Sequence, residues 1–498
     1  MALPPYFHRS AVAASQLLGG FDESTIRERL EGQVIGLHLA QSGDTLEART
    51  ALDLAVRLVT RLYPSLVLDL PTELQSKYEA LALQINPDIA VSKDDPNLAI
   101  VFGEGTRETS EYTIFVGSDG WDARIGTTQP QSTGDSSNPY GPGAAACISV
   151  ANVFRHVFIE HAESDNALTF STFNMAPEGT DVEFKEADFT LSSDVVLVGV
   201  GAIGQSTCWA LTRGGGSGIV HLIDHETVEL SNLQRYVLTE MSDVGQFKVD
   251  VASRYFVKDL TPQSHPVSFA SFVADFGYQW DRIAVAVDSA QARREVQASL
   301  PQWIANSWTQ PGDLGISVHP SFAVGACLAC LYLPNESADS EDRLIAKALG
   351  LAEEHELQIR QLLHTGEPPP PLFLDQVAER LSVSPDLLEP FRSKPLRQLY
   401  VEGICGGMVL PLNRSGAPTQ NVHVPVAHQS ALAGVLLAAR LANRARVGTL
   451  VTRFDVTRPV PELPTQTAAK DSSGRRICND IVYIDRYIEK YGVIAYPR

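Results

Sequence analysis

Cysteine is scarce in this chain, with six in 498 residues, too few and too scattered for a disulfide scaffold. Basic charge is short as well: Lys plus Arg number 39 against 59 Asp plus Glu, a formal net charge of −20. No basic cluster is longer than the pair Arg475 and Arg476 or the spread Arg440, Arg444, Arg446. Such a surface repels a phosphodiester backbone, so no nucleic-acid partner is expected. Long apolar runs are also missing. No window approaches the roughly eighteen apolar residues that a membrane span needs, and the N-terminal MALPPYFHRSAVAAS has no basic segment leading into a long apolar one. These absences predict a cytoplasmic, soluble protein with reduced thiols and no membrane partner. Hydrophobic residues at 44% and aromatic residues at 8% are ordinary for a globular enzyme, and the length accommodates about two to four domains.

Composition shifts divide the chain. Residues 127–143 form a polar loop rich in Pro, Gly and Ser, and 160–190 contain a second polar stretch just before a strongly apolar strand. Residues 335–397 are charged and helical in pattern, broken by Pro368 to Pro371. No solenoid repeat is present. In the first part, apolar residues at helical spacing run from Ala51 to Tyr63, and Ser65 to Leu70, Leu98 to Gly103 and Tyr112 to Trp121 read as strands. Gly143 to Phe158 reads as a helix. No glycine-rich loop follows any of these strands, which makes this half a poor candidate for nucleotide chemistry.

From Asp194 the alternation sharpens. DVVLVGV is a continuous apolar run, as expected of a strand buried on both faces of a parallel sheet. A helix over about 203–213, the strand GIVHLID, a helix over roughly 247–260, strands PVSFA and RIAVAVD, and the helix AQARREVQASL follow. This alternation predicts a Rossmann-like, doubly wound α/β fold.

Within it, Gly199-Val200-Gly201-Ala202-Ile203-Gly204 fits G-x-G-x-x-G directly after a strand and at the start of a helix. The first glycine permits the tight turn, the second lets backbone approach a phosphate, and the third allows close strand–helix packing. Asp224 ends the next strand, at a spacing where a carboxylate receives ribose hydroxyls. The run that follows is polar and suited to phosphate, with Glu229, Ser231, Asn232, Gln234 and Arg235 in one short loop. Arg235 brings a planar cationic fork to polyphosphate oxygens, and Lys248 opens the next helix. Asp288 ends RIAVAVD at the carboxyl edge of the sheet, where such folds bind ligands; a carboxylate there is a natural Mg²⁺ ligand for a nucleotide. Taken singly, Arg235 is equally a surface cation and Asp288 equally the N-cap of the helix after it. Together at strand ends of one sheet they favour a Mg²⁺–nucleotide site over a nicotinamide oxidoreductase.

GVGAIG, D-x-x-x-V-x-x-S-N-L-Q-R, Gly245, Lys248 and Asp288 with Arg293 together resemble the adenylation domain of ubiquitin-activating enzymes and their bacterial ThiF, MoeB and HesA relatives. The resemblance is close over about 190–335 and looser over 400–445. It implies that Gly199, Gly201 and Gly204 cradle ATP, that Asp224 binds its ribose, that Asn232, Gln234, Arg235 and Lys248 line the phosphate site, and that Asp288 holds Mg²⁺. The implied reaction is attack of a C-terminal carboxylate of a ubiquitin-like protein on the α-phosphate, giving an acyl-adenylate and pyrophosphate. Bacterial ubiquitin-like conjugation and antiviral operons contain enzymes of this type. Two positions depart from the pattern: Tyr236 stands where many relatives have Gln, and Ser289 where many have Asn.

Cys327 and Cys330 form a C-x-x-C that resembles one half of the family's zinc site. A closed structural site needs four ligands, and only Cys405, Cys478 or a histidine could complete it; two reduced thiols in a strand end are the alternative. Cys405, in EGICGGMVLP, resembles the segment in which several relatives carry a thioester or persulfide cysteine. Gly406 and Gly407 leave that thiol accessible, as a nucleophile requires. Cys147 and Cys208 lie in apolar helical settings and read as core packing.

The expected organisation is therefore an α/β domain over 1–185, an adenylation core over 186–334, a helical insertion over 335–404, and completion of the fold over 405–498. Residues 95–160 loosely resemble the inactive adenylation-like half that accompanies the active one in ubiquitin-activating enzymes. That half would supply support and an arginine across the interface. The competing reading is a conjugating-enzyme-like domain with Cys147 as nucleophile, which lacks a histidine-containing loop just before the cysteine. The expected partners are a ubiquitin-like protein and a conjugating enzyme, with a homodimer the alternative should 1–185 not furnish the second half. Adenylation of a sulfur carrier or peptide without an enzyme thioester is the nearest competing reaction.

Overall fold

The computed structural model describes residues 3–18, 23–92, 95–105, 110–182, 194–214, 216–256, 260–310, 312–320, 322, 325–333, 341–405, 424–443, 450–460, 465–467 and 477–492. Two compact units are present. One comprises Met1–Pro5, Arg29–Leu333 and Pro425–Arg498; the other comprises Tyr6–Glu28 and Pro334–Val424.

Two helices open the chain, α1 (Phe7–Leu18) and α2 (Glu23–Leu30), and the first sheet follows. Its chain order is β1 (Val34–Leu39), α3 (Leu46–Val59), β2 (Ser65–Asp69), α4 (Thr72–Ile85), β3 (Ala90–Val91), β4 (Leu98–Phe102), β5 (Tyr112–Asp119), β6 (Asp122–Gly126), α5 (Tyr140–Phe158) and β7 (Leu168–Ser171). Across the sheet the order is β3-β2-β1-β4-β5-β6-β7. The first five strands are parallel, and β6 and β7 return antiparallel.

The second sheet begins with β8 (Val195–Val198), α6 (Ala202–Leu211), β9 (Gly218–Ile223), α7 (Lys248–Ser253), β10 (Leu260–His265), α8 (Phe269–Phe276), β11 (Arg282–Val285), α9 (Ala290–Ala298), β12 (Trp303–Gln310), β13 (Asp313–His319) and α10 (Leu328–Leu331). The helices α11 (Glu341–Ala348), α12 (Glu356–Thr365), α13 (Pro371–Leu381) and α14 (Leu396–Gln398) belong to the other unit. The chain then returns through α15 (Ala427–Asn443), β14 (Leu450–Phe454), β15 (Thr465–Thr467) and α16 (Ile481–Tyr491). This sheet has the order β10-β9-β8-β11-β12-β13-β14-β15, again five parallel strands followed by antiparallel ones. In both sheets the order runs third, second, first, fourth, fifth, sixth, seventh. In both, one long helix (α5, α15) precedes the seventh strand. The chain is thus a pair of doubly wound α/β sheets of one topology.

Apolar runs explain the strands. VVLV in β8 is wholly buried, as a parallel strand covered by helices on both faces must be. The two sheets share a core in which α5 and α15 pack together, and Trp209 on α6 is fully buried. Where the sequence pattern suggested strand PVSFA, the structure instead ends β10 at His265 and starts α8 at Phe269. Ser268 caps that helix by accepting from the Ser271 amide. Phe269, Phe272 and Phe276, at spacings of three and four, then share one helical face, and this local period overrides the strand-like composition. The helix expected over 247–260 is confined among the described residues to Lys248–Ser253.

Candidate functional site

The glycine loop joins β8 to α6. Gly199 has φ +90°, and a Cβ on it would lie 2.6 Å from the Ala286 carbonyl oxygen. A side chain is therefore excluded both by the left-handed backbone and by the end of β11. A Cβ on Gly204 would lie 2.1 Å from the Gly199 oxygen, so α6 sits directly on the turn. Gly201 is the N-cap of α6 and no side chain caps it. The first-turn amides of α6 thus face a site suited to an anion.

Asp224, just past β9, is half-buried and lies against this loop: Oδ2 accepts from the Val200 amide at 2.8 Å and Oδ1 from the Glu226 amide at 2.9 Å. Burial raises its pKa above the usual carboxylate value, against the pull of the Lys248 ammonium. Lys248 is 5% exposed and its Nζ is paired with Glu226. Burial works to discharge it, yet Tyr236, Asp224 and Glu226 raise its pKa, so it stays cationic. Burial likewise acts to raise Glu226, but attraction to Lys248 prevails and lowers it.

The loop carrying Ser-Asn-Leu-Gln-Arg is a short 3₁₀ turn, Leu230–Gln234. Asn232 Oδ1 accepts from the Glu229 amide at 3.0 Å, while the Glu229 side chain accepts from Asn232 in return. Gln234 is buried, donates to the Pro425 carbonyl at 3.2 Å and accepts from Arg235 at 3.3 Å. Asn232 and Gln234 therefore shape the loop, and Arg235 and Lys248 supply its cations. Across the sheet edge, Ser289 caps α9 by accepting from the Ala292 amide at 3.0 Å. Asp288 is exposed beside it, free of the capping role. Arg293 is buried and donates to Asn306 and the Ser307 carbonyl, which makes it part of the scaffold.

Four contributors were not singled out as site residues from the sequence. Glu226 lies two residues beyond Asp224 in the same strand-end loop. Tyr236 is 4% exposed and lies under both site cations. Arg57 and Arg61 come from α3 and its C-terminal end in the first half. Arg57 donates to the Val237 carbonyl at 3.1 Å, and Arg61 donates to those of Leu233 and Thr239. Two arginines four apart in the mostly apolar stretch Ala51 to Tyr63 were the available signal, since a buried guanidinium must find acceptors.

In the first half the matching helix start is closed from within. Thr45 caps α3 by accepting from the Ala48 amide at 3.2 Å, and Asp135 accepts from the Leu46 amide at 2.7 Å. Glu47, fully buried, accepts from Ser118, Gly120 and Ser136. The polar loop, which the structure ends at Pro139 because α5 begins at Tyr140, thereby brings Asp135 and Ser136 to the start of α3.

Cys327, Cys330 and Cys478 converge. Their Sγ atoms stand 3.7 Å (327 to 330) and 3.6 Å (330 to 478) apart, and all three lie within 4.8 Å of one another. Zn–S bonds of about 2.3 Å in a tetrahedron give sulfur separations of about 3.8 Å, so the spacing fits zinc. His319 is no fourth ligand, because its nitrogens face the Ala326 carbonyl and the Ser317 hydroxyl. Cys405 closes a π-helical segment, Leu399–Cys405, and its side chain lies outside the described residues. Cys147 and Cys208 are buried in α5 and α6, where burial raises both thiol pKa values. Among the described residues no helix is long and apolar enough to cross a membrane.

The profile described as "ThiF family" matches residues 181–348, which contain every element of this loop-and-acid constellation. The chain belongs to the ubiquitin-activating-enzyme-like ThiF family. A second profile, "Prokaryotic E2 family C", matches residues 39–159 of this ThiF-family chain. "Uncharacterized protein y4jF" of Sinorhizobium fredii is 40% identical over 516 residues, covering 100% of this chain and 99% of that one. "Adenylyltransferase and sulfurtransferase uba4" of Neosartorya fischeri is 43% identical over 160 residues, 30% of this chain and 31% of the relative. The "Nedd8-activating enzyme E1 catalytic subunit" of Drosophila melanogaster is 31% identical over 109 residues, 21% and 24% of the two chains. The match thus spans about a third or less of those two named enzymes. Among solved structures, E. coli MccB with MccA-N7isoASN is 15% identical at a TM-score of 0.37, covering 58% of this chain and 68% of that one, too distant to bear on the reaction.

Proposed function

We propose that this ThiF-family protein uses ATP and Mg²⁺ to adenylate the C-terminal carboxylate of a ubiquitin-like protein with release of pyrophosphate, then passes the acyl group to the Cys405 thiolate with release of AMP, and on to a conjugating enzyme. The observation that carries the adenylation step is the convergence, at the carboxyl edge of one parallel sheet, of an uncapped glycine-loop helix, Asp224, Arg235, Lys248 and an exposed Asp288. The α6 amides, Arg235 and Lys248 neutralise phosphate charge, Asp224 receives the ribose, and Asp288 holds Mg²⁺. Acyl-adenylate formation needs positioning and charge neutralisation more than proton transfer, and this site offers cations and oriented amides. Cys327, Cys330 and Cys478 would hold zinc, which ties α16 to the end of the second sheet.

We read residues 1–185 as an inactive adenylation-like half. Its sheet repeats the strand order of the active half, its helix start is filled by Thr45 and Asp135, and Arg57 and Arg61 brace the nucleotide loop. The sealed position of Cys147 speaks against a nucleophile there. With both halves in one chain, the site needs no second copy.

ATP–pyrophosphate exchange with Mg²⁺ and a ubiquitin-like protein encoded beside the gene tests the reading. Exchange by wild type, its loss in Asp288→Ala, and a thiol-labile adduct lost in Cys405→Ala are expected. Exchange and product transfer untouched by Cys405→Ala would instead favour adenylation of a sulfur carrier or peptide without an enzyme thioester. NAD-dependent chemistry without exchange would sink both.

A further inference from the structure

Tyr236 follows Arg235 at the end of the 3₁₀ turn, its amide donating to the Asn232 carbonyl at 3.1 Å. The Lys248 Nζ lies 5.3 Å from its ring centroid and the Arg235 Cζ 5.6 Å. One aromatic ring is therefore shared by the two cations of the site, both within the range of cation–π attraction. The ring is 4% exposed, and its hydroxyl aims at the glycine loop: a Cβ on Gly201 would lie 3.3 Å from Oη. No hydrogen bond among the described residues engages that hydroxyl. That hydroxyl stands beside the α6 N-terminus, where oriented amides suit a phosphate.

Resting on the nucleotide reading above, we propose that Tyr236 is a phosphate-contacting and positioning residue: its hydroxyl donates to a phosphate oxygen at the glycine loop while its ring seats Lys248 and Arg235. A phenol supplies a neutral donor together with an aromatic face. That face fixes two long side chains which would otherwise lose rotamer freedom on binding.

Calorimetric titration of the full chain with Mg²⁺–ATP and, separately, with adenosine tests this. Tyr236→Phe keeps the ring and removes only the donor. ATP affinity should fall about tenfold or more, the size of one hydrogen bond to a charged group, with adenosine affinity unchanged. Tyr236→Leu removes the face as well, and ATP affinity should fall about threefold or more beyond the Phe variant. A Phe variant that binds ATP like wild type, or one that loses adenosine and ATP in equal measure, overturns the proposal. A wild-type chain that binds neither ligand overturns the nucleotide reading itself, which keeps the two failures apart.

Discussion

Asp288 and Ser289 divide two tasks that either could have performed. Ser289 caps α9, which leaves the Asp288 carboxylate exposed at the strand end. Asp288→Asn should therefore cost little stability, shifting Tm by no more than about 2 °C in a thermal melt. The same change should slow Mg²⁺-dependent exchange at least about a hundredfold. Gly204→Ala should behave in the opposite manner. Its Cβ would press on the Gly199 oxygen, overpacking the turn by about 1–3 kcal/mol, with a lowered denaturant midpoint as the measure. At this scale the sequence was informative wherever a residue type has one steric or chemical reason to be present. The three glycines and Asp224 stand where their spacing implied. Asn232 and Gln234 were legible as loop residues but not in their partners, because an amide side chain bonds whatever the tertiary fold brings near.

Helix α3 links the two halves. Asp53 Oδ2 accepts from Arg57 at 3.0 Å, Trp209 at 2.8 Å and Arg213 at 2.7 Å. Burial raises the carboxyl pKa, but Arg213 and Arg57 more than offset this and hold it well below the usual value. The sign follows: the cluster stabilises the fold above the unfolded-state carboxyl value of about 4 and loses that contribution as pH falls below it. Urea midpoints measured between pH 6 and pH 2 should drop less steeply for Asp53→Asn than for wild type. Asp53→Ala, which strands buried cations, should cost about 3–5 kcal/mol at pH 7. Arg61→Met leaves the Leu233 and Thr239 carbonyls without that donor, at about 1–3 kcal/mol, and should weaken ATP binding although Arg61 comes from the first sheet's half of the chain. Unchanged ATP affinity in this variant would mean that the loop holds its shape unaided.

Over the whole molecule, the repeated strand order is the decisive feature. Two sheets share one strand order, and they differ in that one has an uncapped helix start and the other a helix start filled by Thr45 and Asp135. The sulfur cluster belongs to this scale too, since Cys478 lies 148 residues beyond Cys330. Elemental analysis of purified protein should find about one zinc per chain, reduced in Cys330→Ser. Chelation should speed hydrogen exchange in α16 more than in α6. Metal-free protein with unchanged α16 protection would leave these thiols as core residues.

The sequence by itself determined the nucleotide loop, the acid after β9, the cations near it and the doubly wound alternation. Each rests on local spacing: a turn needs its glycines, and a buried strand needs its apolar run. Only the tertiary structure decided that the first half repeats the second, that Asp135 fills one helix start while the other stays uncapped, and that Glu226 and Tyr236 flank Lys248. It also brought Cys478 to Cys327 and Cys330. These facts depend on contacts between segments far apart in the chain, and periodicity says which face a residue occupies but not what will face it.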